Sequence, residues 1–194
     1  GLLLQRKYKN TAVVGNIGVA YSEKVSDLTE NDYVCAEISS FQLETSCTFN
    51  PHIAAVLNIT PDHLNRHKTM ENYVAVKEKI FANQTADDFT ILNKNDDYCR
   101  KMADKTKGKV LFFSSSEKLE EGIFLEDENI HIRWNGIDEN LINVNELKIL
   151  GVHNYENVMA AVGCALCAGI SLDDIREVLK EFNGVEHRIE YCGT

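Results

Sequence analysis

The sequence predicts an α/β fold: a mostly parallel sheet flanked by helices, with a small antiparallel β-meander. Short β-rich runs alternate with helical stretches, and several of the runs are apolar almost throughout, as in strands covered on both faces. After Ser114 the texture changes to short runs separated by Glu-Asp-Glu-Asn and Asn-Gly-Ile-Asp clusters, the mark of a meander. Strands are expected at Thr11–Val14, Tyr33–Ile38, Ile53–Asn58, Phe89–Asn93 and Val110–Phe113. Between them, Met70–Asn83 sets Tyr73, Val74, Val76, Lys77, Ile80 and Phe81 at helical spacing, and Asp96–Lys107 reads as a more polar helix. The meander is expected over Gly122–Leu125, Asn129–Trp134 and Leu141–Val144. Two helices follow: Tyr155–Ala168, which Gly169 can close, and Ser171–Phe182, where Ser171 and Asp174 resemble a capping box with Asp in place of Glu. Residues 186–191 look like one strand of a further unit, so 1–185 is read as one domain and 186–194 as the start of another.

The chain of 194 residues carries 30 acidic against 20 basic side chains, a formal charge of −10. That balance argues against a broad phosphate-backbone contact surface, so nucleic acid is not an expected partner, although a local basic site in a cleft can still take a nucleotide. No apolar run reaches the ~20 residues of a membrane span, and Gly1–Lys7 is too short for a secretory signal, so neither a membrane nor an exported fate is expected. Cys35, Cys47, Cys99, Cys164, Cys167 and Cys192 lie mostly in apolar runs and are read as reduced, with Cys164-x-x-Cys167 inside an apolar helix rather than in a metal half-site. A cytoplasmic setting follows.

In an open parallel sheet, ligands bind beyond the carboxyl ends of the strands. Gly15-Asn16-Ile17-Gly18 follows the first strand; it reads either as a turn or as a turn that presents Asn16 to a ligand. Glu37-Ile38-Ser39-Ser40-Phe41-Gln42 follows the second, where a divalent cation is a natural partner for Glu37; a carboxylate pointing into solvent is the plain alternative. Asn58-Ile59-Thr60-Pro61-Asp62-His63-Leu64-Asn65-Arg66-His67 follows the third. His63 and His67 have the spacing of one helix face, but Leu64 stands where a His-Glu-x-x-His zinc hydrolase needs its Glu. A single metal-facing His63, with His67 solvated or on phosphate, fits better than that hydrolase. Lys77 shares an apolar helix face, which suits a snorkelling stem, an ion pair with an acid such as Glu37, or a desolvated amine with a lowered pKa.

Taken in order, Asn16 in Gly-Asn-Ile-Gly, Glu37 in Glu-Ile-Ser-Ser-Phe-Gln-Leu-Glu, His63 in Asn-Ile-Thr-Pro-Asp-His, Lys77 in Val-Lys-Glu-Lys-Ile and Gly151-Val152-His153-Asn154-Tyr155-Glu156-Asn157 resemble the motifs of the Mur ligases. The resemblance spans nearly the whole chain, and the Ser39–Glu44 run is similar to the branch that adds D-glutamate. It implies the central domain of an ATP-dependent, amide-forming ligase of peptidoglycan synthesis, acting on ATP, UDP-N-acetylmuramoyl-L-alanine and D-glutamate. By the same resemblance Glu37 would hold the magnesium that bridges the ATP phosphates. His63 would serve a second Mg²⁺, and Lys77 would be carbamylated to give that second metal an oxygen ligand; these three form the implied catalytic set. Asn154 and Asn157 would contact adenine, Arg188 the ribose, and Asn16, Ser39 and Gln42 the muramoyl-alanine substrate.

The family pattern also implies a Gly-Thr-x-Gly-Lys-Thr phosphate loop and helix ahead of Gly1-Leu2-Leu3-Leu4, and flanking domains for the UDP group and for D-glutamate. The chain is therefore read as a fragment of a monomeric parent, expected not to turn over alone, to bind nucleotide or substrate at most, and to self-associate through uncovered apolar surface.

Overall fold

The computed structural model describes residues 1–16 and 18–184. A short helix α1 (Leu2–Lys7) leads into β1 (Thr11–Gly15), α2 (Tyr21–Lys24) and β2 (Tyr33–Glu37). These two strands pair in parallel as a sheet of their own, and they are only partly covered: Val13 is 54% exposed. Next come α3 (Ser40–Glu44), β3 (Ile53–Val56), α4 (Leu64–His67), α5 (Met70–Glu78), β4 (Phe89–Asn93), α6 (Asp97–Met102) and β5 (Lys109–Ser114). The chain then forms β6 (Gly122–Glu126), β7 (Asn129–Trp134), β8 (Ile137–Asn143), α7 (Val152–Cys167) and α8 (Leu172–Glu181). Strands β3 to β8 form one sheet in sequence order, parallel from β3 to β6 and antiparallel from β6 to β8. The α/β expectation with a terminal meander holds, but the apolar runs are divided between two sheets.

The pleat of β4 separates two cores. Ile91 points with Leu111 and Phe113 towards α7, while Leu92 points with Val56 towards Tyr73, Val74, Cys99 and Met102. Helix α7 comes so close to the sheet that a Cβ on Gly163 would lie 3.2 Å from Ile91. It ends in a Schellman motif, with Gly169 at φ 73°, Gly169 N bonded to Leu166 O and Ile170 N bonded to Ala165 O.

Several boundaries differ from the sequence reading for local reasons. After Glu78 the chain tightens into i to i−3 hydrogen bonds, Ile80 N to Lys77 O and Phe81 N to Glu78 O, so Ile80 and Phe81 belong to a turn rather than to α5. The polar helix is shorter than Asp96–Lys107 because Asp96 caps it through Cys99 N and it ends at Met102. Asn135 and Gly136 both have positive φ, the pattern of a type I′ turn, which returns Ile137 and Asp138 to the strand instead of leaving them in a loop. Ser171 caps α8 through Asp174 N, and its hydroxyl donates to the Asp174 carboxylate, which replaces the reciprocal backbone contact of a capping box. The proposed unit 186–194 lies outside the described residues, and with it Arg188 and Cys192.

Candidate functional site

The ends of β1 and β2 meet at close quarters. Gly15 has φ +125°, and a Cβ there would fall 2.1 Å from Glu37 O, so only glycine lets the two backbones approach. Asn16 N donates to that carbonyl at 2.7 Å, and Asn16 Nδ2 reaches Glu37 Oε1 at 3.5 Å. Both side chains are exposed. Glu37 thus ends its strand in solvent, the plain geometry the sequence left open, with its carboxylate accessible beside an amide.

Ser39 and Gln42 hold each other. Ser39 Oγ accepts from Gln42 N at 3.3 Å and Gln42 Oε1 accepts from Ser39 N at 2.9 Å, a complete capping box at the start of α3. Their polar groups therefore fix the helix that follows Glu37. Gln42 also borders a cavity of about 240 Å³ shared with Tyr21, Ile38, Leu43, Ser46 and Phe49.

His63 is not on a helix face. It precedes α4 with φ 52° and ψ 28°, a left-handed conformation uncommon outside glycine. Asp62 stabilises this turn: its Oδ1 accepts from His63 N at 2.8 Å and its Oδ2 lies 3.3 Å from His63 Nε2. The exposed imidazole lies against Phe41, with ring centroids 4.7 Å apart. His67 departs from the expectation of a solvated or phosphate-bound side chain. Its side chain is 1% exposed, with Nε2 3.0 Å from Ser40 Oγ, Nδ1 3.7 Å from Glu44 Oε1, and the rings of Phe41 and Tyr73 around it. Glu44 in turn accepts from Arg66 Nε and Nη2, which hold its carboxyl below the usual range. Both imidazoles pack on the Phe41 ring, but His63 does so from the left-handed residue that precedes α4 and His67 from inside that helix. Among the described residues no cluster of three His, Cys, Asp or Glu side chains is placed to hold a metal ion.

Lys77 lies on α5, half-buried. Burial pushes its amine below the ordinary lysine value, against the opposing pull of Glu37 and Asp62. Helix α5 packs against α3, which follows Glu37, and against α4, which follows His63. Cys99 beneath them is fully buried, and its thiol is pushed far up by desolvation.

Across the sheet, Gly151 at φ 97° opens α7, and Asn154 and Asn157 fall in its first turns. Asn154 Nδ2 donates to Leu150 O at 2.7 Å. The sequence reading passed over Glu156 between them. It accepts from Asn93 Nδ2, Asn95 Nδ2 and Ser115 Oγ. The signal was present: Asn93-Lys94-Asn95 and Ser114-Ser115-Ser116 are polar runs at the carboxyl ends of apolar strands, as are the segments that carry Asn16, Glu37 and His63.

Comparison with known proteins adds the following. The Mur ligase middle domain model matches residues 2–165. The UDP-N-acetylmuramoylalanine–D-glutamate ligase of Lachnoclostridium phytofermentans is 51% identical over 195 residues, covering 100% of this chain and 43% of that protein. Its namesake from Clostridioides difficile is 42% identical, covering 98% of this chain and 42% of that protein. Among solved structures, MurF from Acinetobacter baumannii superposes with a TM-score of 0.74 at 21% identity, covering 100% of this chain and 44% of its own. A UDP-N-acetylmuramoyl-L-alanyl-D-glutamate–2,6-diaminopimelate ligase gives a TM-score of 0.74 at 19% identity, covering 97% of this chain and 44% of its own. The chain thus spans less than half the length of each of these four proteins.

Proposed function

Because the chain belongs to the Mur ligase family, matched along most of its length by the middle-domain model, we propose that it forms the ATP- and metal-binding part of a ligase joining D-glutamate to UDP-N-acetylmuramoyl-L-alanine. Relatives named for that reaction align with nearly all of it at 42% to 51% identity. The observation that carries the reading is the packing of α5, which bears the half-buried Lys77, against α3 and α4, the helices that follow Glu37 and His63.

The donor chemistry suits magnesium. Glu37 and Asp62 offer hard oxygens, and so few protein ligands leave room for phosphate oxygens. Bound Mg²⁺ supplies Lewis-acid neutralisation of phosphate charge during transfer. Glu37 presents its carboxylate at the strand end, steadied by Asn16, and Asp62 holds the orientation of the His63 ring. Burial favours the uncharged Lys77 amine, the form that attacks carbon dioxide: the new N–C bond forms, an N–H proton leaves, and an anionic carbamate results. That carbamate turns a cation into an oxygen ligand. Asn154 and Asn157 would offer amide groups to adenine and Arg188 its guanidinium to the ribose, while Asn16, Ser39 and Gln42 would lie along the muramoyl-alanine chain. The substrate carboxylate attacks the γ-phosphorus of ATP, ADP leaves, and the D-glutamate amine displaces phosphate from the acyl phosphate. In this reading the reaction belongs to peptidoglycan precursor synthesis in the cytoplasm. Among the described residues no helix is long and apolar enough to cross a membrane.

Calorimetric titration of the chain with ATP and Mg²⁺ tests the reading. Saturable binding that weakens at least about tenfold in Asn157→Ala is expected; ATP bound with the same affinity by Asn157→Ala contradicts it. Intact mass should show a carbon dioxide increment that disappears in Lys77→Ala.

A further inference from the structure

A hydrogen-bonded network joins the two halves of the proposed site, and it centres on Glu156. Ser115 Oγ and Asn95 Nδ2 donate to Glu156 Oε1 at 2.6 and 2.8 Å, and Asn93 Nδ2 donates to Oε2 at 3.3 Å. Asn95 is itself fixed: its Oδ1 accepts from Ser114 Oγ at 2.6 Å and Ser116 Oγ at 2.8 Å, and its Nδ2 also donates to Ser115 Oγ at 2.6 Å. Asn93 is 3% exposed and Ser114 fully buried, so these groups depend on one another for their partners. The network reaches the loop that carries Asp62 and His63 at two points. Asn93 Nδ2 donates to Leu57 O at 2.9 Å, and Asp96 Oδ2, one residue beyond Asn95, accepts from Ile59 N at 2.9 Å.

We infer that Glu156 is a positioning residue that locks the first turns of α7, which carry Asn154 and Asn157, to the 57–63 loop, which carries His63. The inference rests on the proposed reading in giving those two places one nucleotide, at its adenine and phosphate ends. The physical argument is acceptor geometry. A carboxylate offers acceptors only, and every group facing Glu156 donates. Replacing one carboxylate oxygen by an amide NH₂ sets a donor against a donor, and the loss passes through Asn93 to Leu57 O. A partly satisfied buried network is costly for that reason.

The same reasoning specifies a rescue. In Asn95→Asp combined with Glu156→Gln every contact survives, three of them with direction inverted: the new amide NH₂ donates to the new carboxylate and to Ser115 Oγ, and the Ser115 hydroxyl donates to the carboxylate, while the new amide oxygen still accepts from Asn93 Nδ2 and the carboxylate still accepts from Ser114 and Ser116. Charge is unchanged.

Amide hydrogen exchange of the 194-residue chain decides the matter without any ligand. In Glu156→Gln, exchange at Ile59 and through residues 58–63 should rise about tenfold while the amides of β4 and β5 hold, and the double variant should return to near wild type. Ser115→Ala, which removes one donor and leaves the carboxylate, should give a smaller rise in the same segment if Glu156→Gln fails to fold. Exchange unchanged at 58–63, an equal rise across the sheet, or no recovery in the double variant would overturn the coupling. Titration of wild type and Asn157→Ala with ATP and Mg²⁺ judges the proposed function separately: coupling together with ATP binding that Asn157→Ala does not weaken retires that function and leaves the lock intact.

Discussion

His67 Nε2 lies 3.0 Å from Ser40 Oγ, and this buried pair fastens the helix after Glu37 to the helix after His63. With Phe41 and Tyr73 around the ring, one imidazole on α4 contacts both α3 and α5, segments that bear candidate site residues. His67→Phe keeps the aromatic packing but leaves the Ser40 hydroxyl without a partner, and should cost about 1–3 kcal/mol in urea unfolding. Adding Ser40→Ala should recover most of that loss, because the orphaned group is then gone.

Gly15→Ala should be worse than an ordinary surface change. The added methyl meets Glu37 O at 2.1 Å with φ at +125°, so β1 must part from β2. A loss of about 2 kcal/mol or more is expected, together with displaced Asn16 and Glu37 resonances in NMR spectra of the folded variant.

Thiol chemistry should sort the cysteines by environment. Cys47 is exposed and should alkylate rapidly in the native chain. Cys164 and Cys167, half-buried with thiols that desolvation pushes up to about 12, should react more slowly than Cys47, and Cys99, buried among apolar side chains, should react only on unfolding. Peptide mapping after a brief iodoacetamide pulse reads this out.

Asp88 gives a pH signature remote from the candidate site. Hydrogen bonds from Thr85 N, at 2.7 Å, and His52 Nδ1, at 2.9 Å, hold its carboxyl below the ordinary 3.8. A lowered folded-state pKa adds stability that is fully present above the unfolded value and is lost as pH falls through the folded one. Asp88→Asn should therefore be less stable than wild type at pH ~7, and the two should converge below pH ~3 in urea unfolding.

The sequence was most legible where one physical period ruled. Alternation and apolar runs located β4 and β7 to the residue, and Gly169 marked the end of α7. Legibility failed where a single backbone angle decided. The left-handed turn at His63 removed it from the helix that its spacing with His67 suggested, and two positive φ angles at Asn135 and Gly136 returned Ile137 to a strand. Burial of polar groups was also hidden. A histidine four residues beyond His63 reads as a ligand or a solvated side chain until Ser40, distant in sequence, arrives to pair with it. Glu156 was passed over because its partners lie about 40 to 60 residues away on two strand ends, although those ends obeyed the rule that found Asn16, Glu37 and His63.

The central claim is that Glu37, His63 and Lys77 serve a single metal–phosphate centre. Mn²⁺ in place of Mg²⁺, added at substoichiometric levels with ATP to the ¹⁵N-labelled chain, tests it most directly through paramagnetic broadening. Signals of residues around 37, 63 and 77 should vanish together at the same low metal ratio, while those of β7 and β8 stay sharp. Broadening confined to one of the three segments, or centred elsewhere on the protein, would contradict the account.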